Sequence, residues 1–301
     1  MNRTVLRFLK KMTFLPQKIF LPFLYEYFTK KKLNLENPIE FNEKIQWYKM
    51  YYQPKILNIL VDKYAVREFV KNRIGEKYLN QCYGVYNSFS EINFDKLPDK
   101  FVLKGVHASS YNIICKDKNN LDLAKVKKSI RKWQSTNQYY RTGQEWAYKD
   151  VKPRIIAEKF MKDENRDSLT DYKFYCFNGK PAFFEVHLDR EENHKSAFYD
   201  FDFKKLPFSD SPVETLISED FEKPDTLQEM IQLSEKLSAG LPFVRVDFYS
   251  IKDTIIFGEM TFYPGDGRKD FYPEKYNKII GDMFELPKLK NNKVITEFIK
   301  N

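Results

Sequence analysis

The sequence predicts an α+β protein with a helical N-terminal region, and three observations lead to this class. Apolar side chains recur at helical spacing through residues 1–75. Residues 101–117 and 154–261 contain several runs rich in β-branched and aromatic residues, which is typical of strands. Asn178-Gly179 and a short polar stretch from about Ser250 to Thr254 predict tight hairpins, so we expect antiparallel pairing.

Among the helices, the pair Asn37-Pro38 is predicted to start the first one after residue 32, with Phe41 and Ile45 on its apolar face. Asp62 is predicted to cap a second helix that ends at Gly75. Later helices are expected over residues 123–135 and 226–240. The predicted strands lie in "FVLKGVHA", "NIICKD", "RIIAEKFM", "DYKFYCFNGKPAFFEVHLD", "SAFYDFDFKKL" and "PFVRVDFYSIKDTIIFGEMTF".

The composition allows a large core and excludes several classes of protein. The chain has 301 residues, 42% of them hydrophobic, and lacks the glycine-rich loops of Rossmann and P-loop proteins. Its three dispersed cysteines fit neither disulfides nor a zinc site, which favours the cytoplasm. The net charge of +9 indicates anionic partners such as nucleotide phosphates, an acidic glycan or anionic lipid. No nucleic-acid recognition motif occurs, so we expect no nucleic-acid partner.

The first 32 residues are basic and aromatic, and they lack the long apolar core of a signal peptide. Two interpretations are open. The segment lies on the inner face of an anionic membrane as a peripheral contact, or it forms a helical hairpin docked on the domain.

Charged residues interrupt a strand pattern between residues 242 and 267. Arg245, Asp247 and Glu259 stand within runs that otherwise predict buried strands. With a loop of about three residues, Asp247 and Glu259 lie opposite each other, and two facing carboxylates need a positive charge between them. Arg245 or a metal ion could supply it, and Mg²⁺ needs only one or two carboxylates plus phosphate oxygens. The alternative is a solvated sheet face with a salt bridge.

Two further stretches carry weaker indications of a phosphate or nucleotide site. In "FVLKGVHASSYNII" the strand-ending Lys104 and the small loop residues before Tyr111 suit phosphate, although a strand-end lysine is usually solvated. In "RIIAEKFM" an apolar strand runs into Glu158 and Lys159, which alone predicts only a strand and a linker.

Taken in order, these three stretches resemble the ATP-grasp superfamily. "VLKGVHASS" is similar to the lysine and Ser-Ser loop of D-alanine–D-alanine ligases, "EKFM" to the adenine hinge, and "RVDF" with "GEMTFYPG" to the metal hairpin. Across roughly residues 37–285 the chain resembles the TupA-like (teichuronopeptide-biosynthesis) family of bacterial polysaccharide clusters more closely. "LVDKYAVREFV", "FVLK", "DYKFYCFNGK", "FVRVDFY" and "FGEMTFYPGDG" carry that resemblance.

The resemblance implies an ATP-grasp fold, in which two α+β subdomains sandwich ATP behind a helical N-terminal segment. The implied division is a helical region 1–75, a lid subdomain 76–160 and a catalytic subdomain 161–301. Lys104, His107, Ser109 and Ser110 would contact phosphates, and Glu158, Lys159, Phe160 and Met161 would line adenine. Lys173 would reach the phosphates or ribose, Arg245 would face the transferred phosphoryl group, and Asp247, Glu259 and Thr261 would hold Mg²⁺.

Two departures from the superfamily pattern bear on the site. Thr261 stands where many ATP-grasp enzymes have a metal-binding Asn, and the lid loop has Ala-Ser-Ser-Tyr where glycine-rich versions are common. Both departures leave open a weakened or altered site.

The implied activity is an ATP-dependent carboxylate–amine ligase that works through an acyl phosphate. Its partners would be ATP, a uronic-acid or acidic-glycan acceptor, and an amine or amino acid. Two other classes stay open at this point. Asp200 and Asp202 form the DxD pattern of glycosyltransferases, with both side chains expected on one strand face, and a non-catalytic scaffold with a relic ATP site is the third. His187 and His194 are expected to be structural or at the surface, and Arg190 with Lys195 forms either a solvated basic loop or an acceptor contact.

Overall fold

The structure is a computed structural model and describes residues 3–9, 11–163, 169–188, 194–211, 217, 221–291 and 293–298. The described residues combine helices with two antiparallel sheets, so the predicted α+β class is confirmed. The α-helices are α1 (Arg3–Leu9), α2 (Gln17–Thr29), α3 (Phe41–Tyr51), α4 (Ile56–Val61), α5 (Val66–Arg73), α6 (Leu123–Gln134), α7 (Gln138–Arg141), α8 (Leu227–Ser238) and α9 (Lys275–Met283). The strands are β1 (Cys82–Tyr86), β2 (Phe101–Gly105), β3 (Asn112–Cys115), β4 (Ile155–Lys159), β5 (Asp171–Phe177), β6 (Lys180–Leu188), β7 (Lys195–Tyr199), β8 (Phe243–Ile251) and β9 (Thr254–Thr261).

The N-terminal segment is docked on the rest of the chain through α2. Phe20, Leu21 and Leu24 are buried in a small cluster with Met50 of α3. The Gln144 amide in turn donates to the backbone carbonyls of residues 13 and 15 at 2.8 and 2.7 Å. Helix α2 is therefore docked on the domain, as the helical-hairpin interpretation expects. Helix α1 and the turn after it expose large apolar side chains, such as Phe8 and Phe14, to solvent. None of the described helices has the length and apolar character needed to cross a membrane.

Local capping decides where the next helices begin and end. The prediction that Asn37-Pro38 starts α3 is wrong, because the helix begins at Phe41 behind a reciprocal capping box formed by Glu40 and Glu43. The prediction that Asp62 caps the next helix is met only in part, because the N-cap position of α5 is Ala65 and Asp62 ends α4. The Asp62 carboxylate accepts the backbone N–H groups of residues 64 and 65 at 2.8 and 2.9 Å, in the turn just before α5. Gly75, with φ of 111°, follows the last turn of that helix.

A four-stranded sheet with the order β1-β4-β2-β3 has its own core. Phe101 and Leu103 of β2 pack with Ile130 and Trp133 of α6 and with Ala157 of β4. All residues of this cluster lie between positions 83 and 157, whereas the main core draws on positions 41–79, 146–151 and 172–298. We call this unit the lid sheet; the three-part division of the chain stays a prediction.

A five-stranded sheet with the order β7-β6-β5-β8-β9 has two chemically different faces. Helix α8 covers one face with its buried residues Leu227, Met230, Leu233 and Leu237, and Cys176 Sγ lies 4.0 Å from the Ser234 carbonyl. Phe174, Val246 and Phe248 are completely buried, as the strand alternation predicts. The opposite face carries the charged residues. We call this unit the main sheet.

The β8–β9 hairpin reaches the predicted register by an unexpected route. Its turn contains only residues 252 and 253, rather than the expected stretch from Ser250 to Thr254, and a bulge at Gly258 adds the missing residue. A two-residue turn plus one bulged residue gives the same offset as a three-residue loop. Asp247 is therefore directly paired with Glu259, as predicted, and Arg245 with Thr261.

A buried ion pair fastens α3 to the segment that follows β9. Lys49 is fully buried, pairs with the Asp266 carboxylate and donates to the Asp266 backbone carbonyl at 2.7 Å. Asp266 adopts a φ of 58° and also accepts the Gly143 backbone N–H at 3.0 Å. The same contact thus holds three separate stretches of chain next to the charged face of the main sheet.

Replacing Lys49 with Met is expected to destabilise the fold by about 1–3 kcal/mol, because the substitution removes one of the two cations paired with the Asp266 carboxylate, the other being Arg268, and removes a donor from the buried Asp266 carbonyl. Urea unfolding at neutral pH measures this. The matched control is Lys278→Met, which breaks an exposed i,i+4 pair with Asp282 and should cost less than about 0.5 kcal/mol. Equal, small losses for both variants would show that Lys49 is not a structural cation.

Candidate functional site

Four charged side chains form a row across the face of the main sheet that α8 leaves uncovered. Glu185, Lys173, Asp247 and Glu259 are register partners on the adjacent strands β6, β5, β8 and β9. Directly paired residues of antiparallel strands point to the same side, so the four lie side by side. The first three are buried, and the Glu259 side chain is 36% exposed.

Asp247 is the most heavily engaged member of this row. The Arg245 guanidinium donates to both of its carboxylate oxygens at 2.7 and 2.6 Å, and Lys173 Nζ donates at 2.8 Å. Lys173 also donates to Asp171 at 2.5 Å. Burial opposes the charge of Arg245, but the Asp247 carboxylate raises the pKa of Arg245 well above its ordinary value. Arg245 thus supplies positive charge between the facing carboxylates, and Lys173 adds to it.

Glu259 has a different cation, which comes from the helical region. Lys63 Nζ lies 2.6 Å from its carboxylate, and Arg245 lies 3.9 Å away. The Lys63 charge holds the pKa of Glu259 far below its usual range. The backbone N–H of Lys63 donates to the Val106 carbonyl at 3.1 Å, next to the end of β2 in the lid sheet. Lys63 therefore connects the lid sheet to the charged row.

A second ion-pair group faces this one from the lid sheet. Glu158 is buried, with Lys104 Nζ at 2.8 Å and Arg67 at 3.4 Å from its two oxygens. Both groups contribute to the wall of a cavity of about 20 Å³. Its lining residues are Lys63, Arg67, Lys104 and Glu158 together with Leu79, Asn80, Met161, Tyr249, Phe257 and Gly258. Small-molecule sites usually measure roughly 300–1,000 Å³, so a nucleotide enters here only when these ion pairs open.

The four residues predicted to line adenine, Glu158 to Met161, differ in the contacts they can offer to a nucleobase. Glu158 points its carboxylate at Lys104 and Arg67, and Lys159 is exposed. The backbone N–H of Lys159 donates to Gln81 and its carbonyl accepts from the Asn80 amide, both at 2.9 Å. Phe160 and Met161 are consequently the first residues beyond the strand, where the backbone is free of these two contacts.

The loop after β2 brings two of its three predicted phosphate ligands to the surface. Ser109 and Ser110 are exposed, and Ser110 has a φ of 61°. His107 is 2% exposed, and its Nε2 lies 2.9 Å from the Trp133 carbonyl at the end of α6. Burial lowers the pKa of His107, which favours the neutral ring. The structure thus buries His107 against the end of α6, whereas the two serines are exposed.

The residues predicted for Mg²⁺ lie together, and their chemistry fits a hard divalent cation. Asp247, Glu259 and the Thr261 hydroxyl share one face, and Thr261 Oγ1 accepts from Arg245 at 3.2 Å. Glu259 is the accessible ligand, since the Asp247 oxygens are taken by Arg245 and Lys173. Within the described ranges, no group of three or more His, Cys, Asp or Glu residues could hold a metal ion. A metal here would therefore need oxygens from a bound phosphate as well.

The DxD pattern has a local structural explanation. Strand β7 ends at Tyr199, so the expectation that both aspartates lie on one strand face is wrong. Asp200 Oδ1 accepts the Lys204 backbone N–H at 2.8 Å and closes a tight turn, as Asp residues commonly do. Asp200 and Asp202 therefore belong to a turn that follows the edge strand.

Several charged residues of the site were not predicted. Lys63 and Arg67 lie in the quoted stretch "LVDKYAVREFV", and Glu185 and His187 lie in "FFEVHL". The period-two interruption that identified Arg245 and Asp247 also occurs in "FFEVHL", so the same reasoning applied to β6 predicts both residues. His187 is buried beside Glu185 and stacks on His194, which is compatible with the structural role expected for it. Arg190 lies outside the described residues.

A protein-family model described as TupA-like ATPgrasp matches residues 43–285. No curated protein sequence matches the chain. Among solved structures, the chain is similar to the D-alanine–D-alanine ligase from Bacillus anthracis, with 18% identity, a TM-score of 0.48, and coverage of 81% of this chain and 73% of that one. It is also similar to the D-alanine–D-alanine ligase from Helicobacter pylori, with 13% identity, a TM-score of 0.41, and coverage of 76% of this chain and 62% of that one. A third similar structure is the N5-carboxyaminoimidazole synthetase from Staphylococcus aureus complexed with ADP, with 10% identity, a TM-score of 0.41, and coverage of 76% of this chain and 53% of that one.

Because of the Glu185 carboxylate, the free energy of unfolding is expected to fall as the pH is lowered into the acid range. Burial alone would raise its pKa, but His187 beside it lowers the pKa to about 2 from an ordinary value of 4.5. The stabilisation is therefore complete above pH 4.5 and is lost as the pH falls towards 2. Urea unfolding across this window should show that the wild type loses up to about 3 kcal/mol more than Glu185→Gln. Glu235→Gln, an exposed control on α8, should follow the wild type; parallel curves for all three proteins would contradict the assignment.

Proposed function

Because the chain belongs to the TupA-like ATP-grasp family, we propose that it is an ATP-dependent ligase that joins a carboxylate to an amine through an acyl phosphate. Family and fold are as the sequence predicted. The observation that carries the proposal is the meeting of two ion-pair groups, Lys104 with Glu158 on the lid sheet and Lys63 with Glu259 on the main sheet. We also propose residues 76–160 as the lid and 161–301 as the catalytic subdomain.

The nucleotide would bind between the two sheets, with its base at Phe160 and Met161. Lys104 lines this space from the lid sheet, and Lys63 and Arg67 line it from the helical region, while Ser109 and Ser110 would reach the triphosphate from the exposed loop after β2. The triphosphate would replace Glu158 and Glu259 as the partner of these cations. Cationic side chains bind phosphate oxygens strongly, which favours the exchange. Glu158, Lys159 and His107 would support the site without contacting phosphate.

The reaction needs positioning and charge neutralisation more than covalent participation by the protein. The substrate carboxylate attacks the γ-phosphorus, ADP leaves, and an acyl phosphate forms. Lys173 and Arg245 would neutralise the transferred phosphoryl group and the oxyanion of the next step. Mg²⁺, held by Glu259 and Asp247 with Thr261 nearby, would neutralise the phosphate charge when bound. The amine then attacks the acyl carbon and phosphate departs.

A role in bacterial cell-surface polysaccharide synthesis is the more specific part of the proposal. The family resemblance and the basic net charge of +9 favour an acidic acceptor such as a uronic acid of a glycan, joined to an amino acid or amine. The glycosyltransferase alternative loses its main support, since Asp200 closes a turn. The scaffold alternative is opposed by the intact cation and carboxylate pairs.

The test is a thermal-shift and product screen with ATP, Mg²⁺, D-glucuronate and a panel of amino acids. ATP with Mg²⁺ at a hundredfold excess over Kd should stabilise the protein by about 2.7 kcal/mol, and ADP should form only when the carboxylate is present. Greater stabilisation by UDP-glucose, with release of UDP, would favour the glycosyltransferase; no response to any nucleotide would favour the scaffold.

Three variants separate nucleotide binding from turnover in the same screen. Glu259→Gln should fold and bind Mg-ATP poorly, because it removes a charge from the cation site. Asp247→Asn should also bind Mg-ATP poorly and should lose stability, because Arg245 and Lys173 are left without their shared carboxylate. Arg245→Lys should retain much of the ATP affinity and lose about 10²–10³ in rate, since lysine lacks the planar fork of guanidinium. Asp200→Asn is the control and should turn over normally. Wild-type turnover in all three site variants would refute the ligase assignment.

We also propose that the N-terminal segment contacts anionic membrane while α2 stays docked. Phe8 and Phe14 are 67% and 72% exposed, next to the basic Arg7, Lys11 and Lys18. Removing all of residues 1–32 is a poor test, because α2 contributes core residues.

The double variant Phe8→Ser and Phe14→Ser should lose sedimentation with phosphatidylglycerol vesicles and keep its melting temperature, because both side chains are exposed. Ile279→Ser, an exposed apolar control on α9, should sediment like the wild type. Undiminished sedimentation of the double variant would exclude this surface.

A further inference from the structure

A polar cavity of about 510 Å³ lies at the β7 edge of the main sheet, on the charged face. Four segments build its wall: the end of α2, the start of β7, the loop at residues 210–211, and residues 268–272. Two backbone hydrogen bonds of 2.9 and 2.8 Å join Ser209 and Tyr272, and the Arg268 guanidinium sits 3.9 Å above the Phe28 ring. The wall is thus fastened at both the loop and the N-terminal helix.

A chain of polar side chains leads from this cavity into the row of charges. His194, in the cavity wall, stacks on His187 with ring centroids 4.9 Å apart, and Nδ1 of His187 lies 2.7 Å from Nε2 of His194. Nε2 of His187 lies 3.0 Å from Glu185 Oε1. Glu185 is two strands from Asp247, roughly 10 Å at the usual strand spacing. The charges of Arg245 and Lys173 both favour the ionised form of the Glu185 carboxylate.

We propose that this cavity receives the amine substrate and that the His194–His187–Glu185 chain takes up the proton that the amine loses; this inference rests on the proposed ligase function. The Glu185 carboxylate favours a proton on Nε2 of His187, which leaves Nδ1 to accept from His194 Nε2–H. Nδ1 of His194 is then the nitrogen that accepts a proton. His194 is the catalytic residue, and His187 and Glu185 are positioning residues.

The proton balance requires such a group. The amine arrives as R–NH3⁺ and transfers one proton to His194 before it can attack. The C–N bond then forms, the bond between the acyl carbon and the phosphate oxygen breaks, and the second proton leaves with the departing phosphate. Transfer along the chain puts the positive charge on His187, beside the buried Glu185 carboxylate.

The charges of the wall favour a zwitterionic substrate of the amino-acid class. Lys30, Arg268 and Lys269 are cationic, whereas Asp210 and Asp270 are acidic. Asp210 shares the cavity wall with His194 and pairs with Lys269, and burial first and then the Glu185 charge raise the pKa of its carboxyl. An amino acid would present its carboxylate to Lys30 and to Arg268, which also pairs with Asp266, and its ammonium group to Asp210 and His194.

Hydroxylamine provides a test, because it is uncharged near neutral pH and needs no base to attack an acyl phosphate. With ATP, Mg²⁺ and D-glucuronate, His194→Gln should form the hydroxamate at the wild-type rate. Its amide formation with amino acids should fall by about 10²-fold or more. Equal loss of both reactions, or loss of neither, overturns the inference. If the wild type forms hydroxamate but accepts no amino acid, the inference alone fails; if it forms neither product, the proposed function fails and the inference with it.

Two further measurements remain informative if His194→Gln does not fold. Glu185→Gln and His187→Gln should move the acidic limb of the pH–rate profile for the amino acid. The other charged groups around the His187 and His194 rings are not substituted in either variant; they are Asp171, Asp210 and Lys269. A lower rate at every pH with an unmoved limb would indicate a purely structural role. Lys30→Gln should raise KM for the amino acid but not for ATP, whereas Lys32→Gln, outside the cavity wall, should change neither; an unchanged KM in Lys30→Gln overturns the amino-acid assignment.

Discussion

The buried carboxylate of Asp247 is the constraint on which the rest of the charged face depends. An ionised carboxylate that is only 1% exposed is stable only with cations and hydrogen bonds around it. Arg245 and Lys173 meet that need from its own strand and from β5. Both cations are themselves nearly buried, so they in turn require Glu185, Asp171 and Glu259. One buried charge thus fixes the side-chain positions across four strands.

The face has two ends with different chemistry. At the β9 end, Lys63 and Glu259 adjoin the lid sheet and the space proposed for the nucleotide. At the β7 end, the histidine pair adjoins the 510 Å³ cavity. Arg245 and Asp247 lie between these ends, which is where an acyl phosphate would have to meet both the nucleotide and the amine. The order of residues across the sheet would thus match the order of the two half-reactions of the proposed ligase.

The sequence predicted the parts of the fold that depend on local periodicity, and missed parts that depend on tertiary contacts. Alternation along β8 places Arg245 and Asp247 on one face whatever the rest of the chain does. The opposition of Asp247 and Glu259 was predicted correctly although the turn is shorter than expected, because the Gly258 bulge restores the offset. The partner of Glu259 could not be predicted in this way, since Lys63 is almost two hundred positions earlier and reaches Glu259 through helix packing. His107 failed for a similar reason: its sequence neighbours suit a phosphate loop, but α6 buries its ring.

Lys63 shows how closing of the lid could be linked to occupation of the site. Its backbone donates to Val106 beside the lid loop, while its side chain neutralises Glu259 on the main sheet. A cation bound at Glu259 would remove the reason for Lys63 to stay there, and a triphosphate at the lid loop would offer it a new anionic partner close by. The two events favour each other, because each lowers the cost of breaking the ion pair that the other disrupts. Under the proposed function, a metal ion and a polyphosphate would together take over the neutralising role that these ion pairs have for the buried charges.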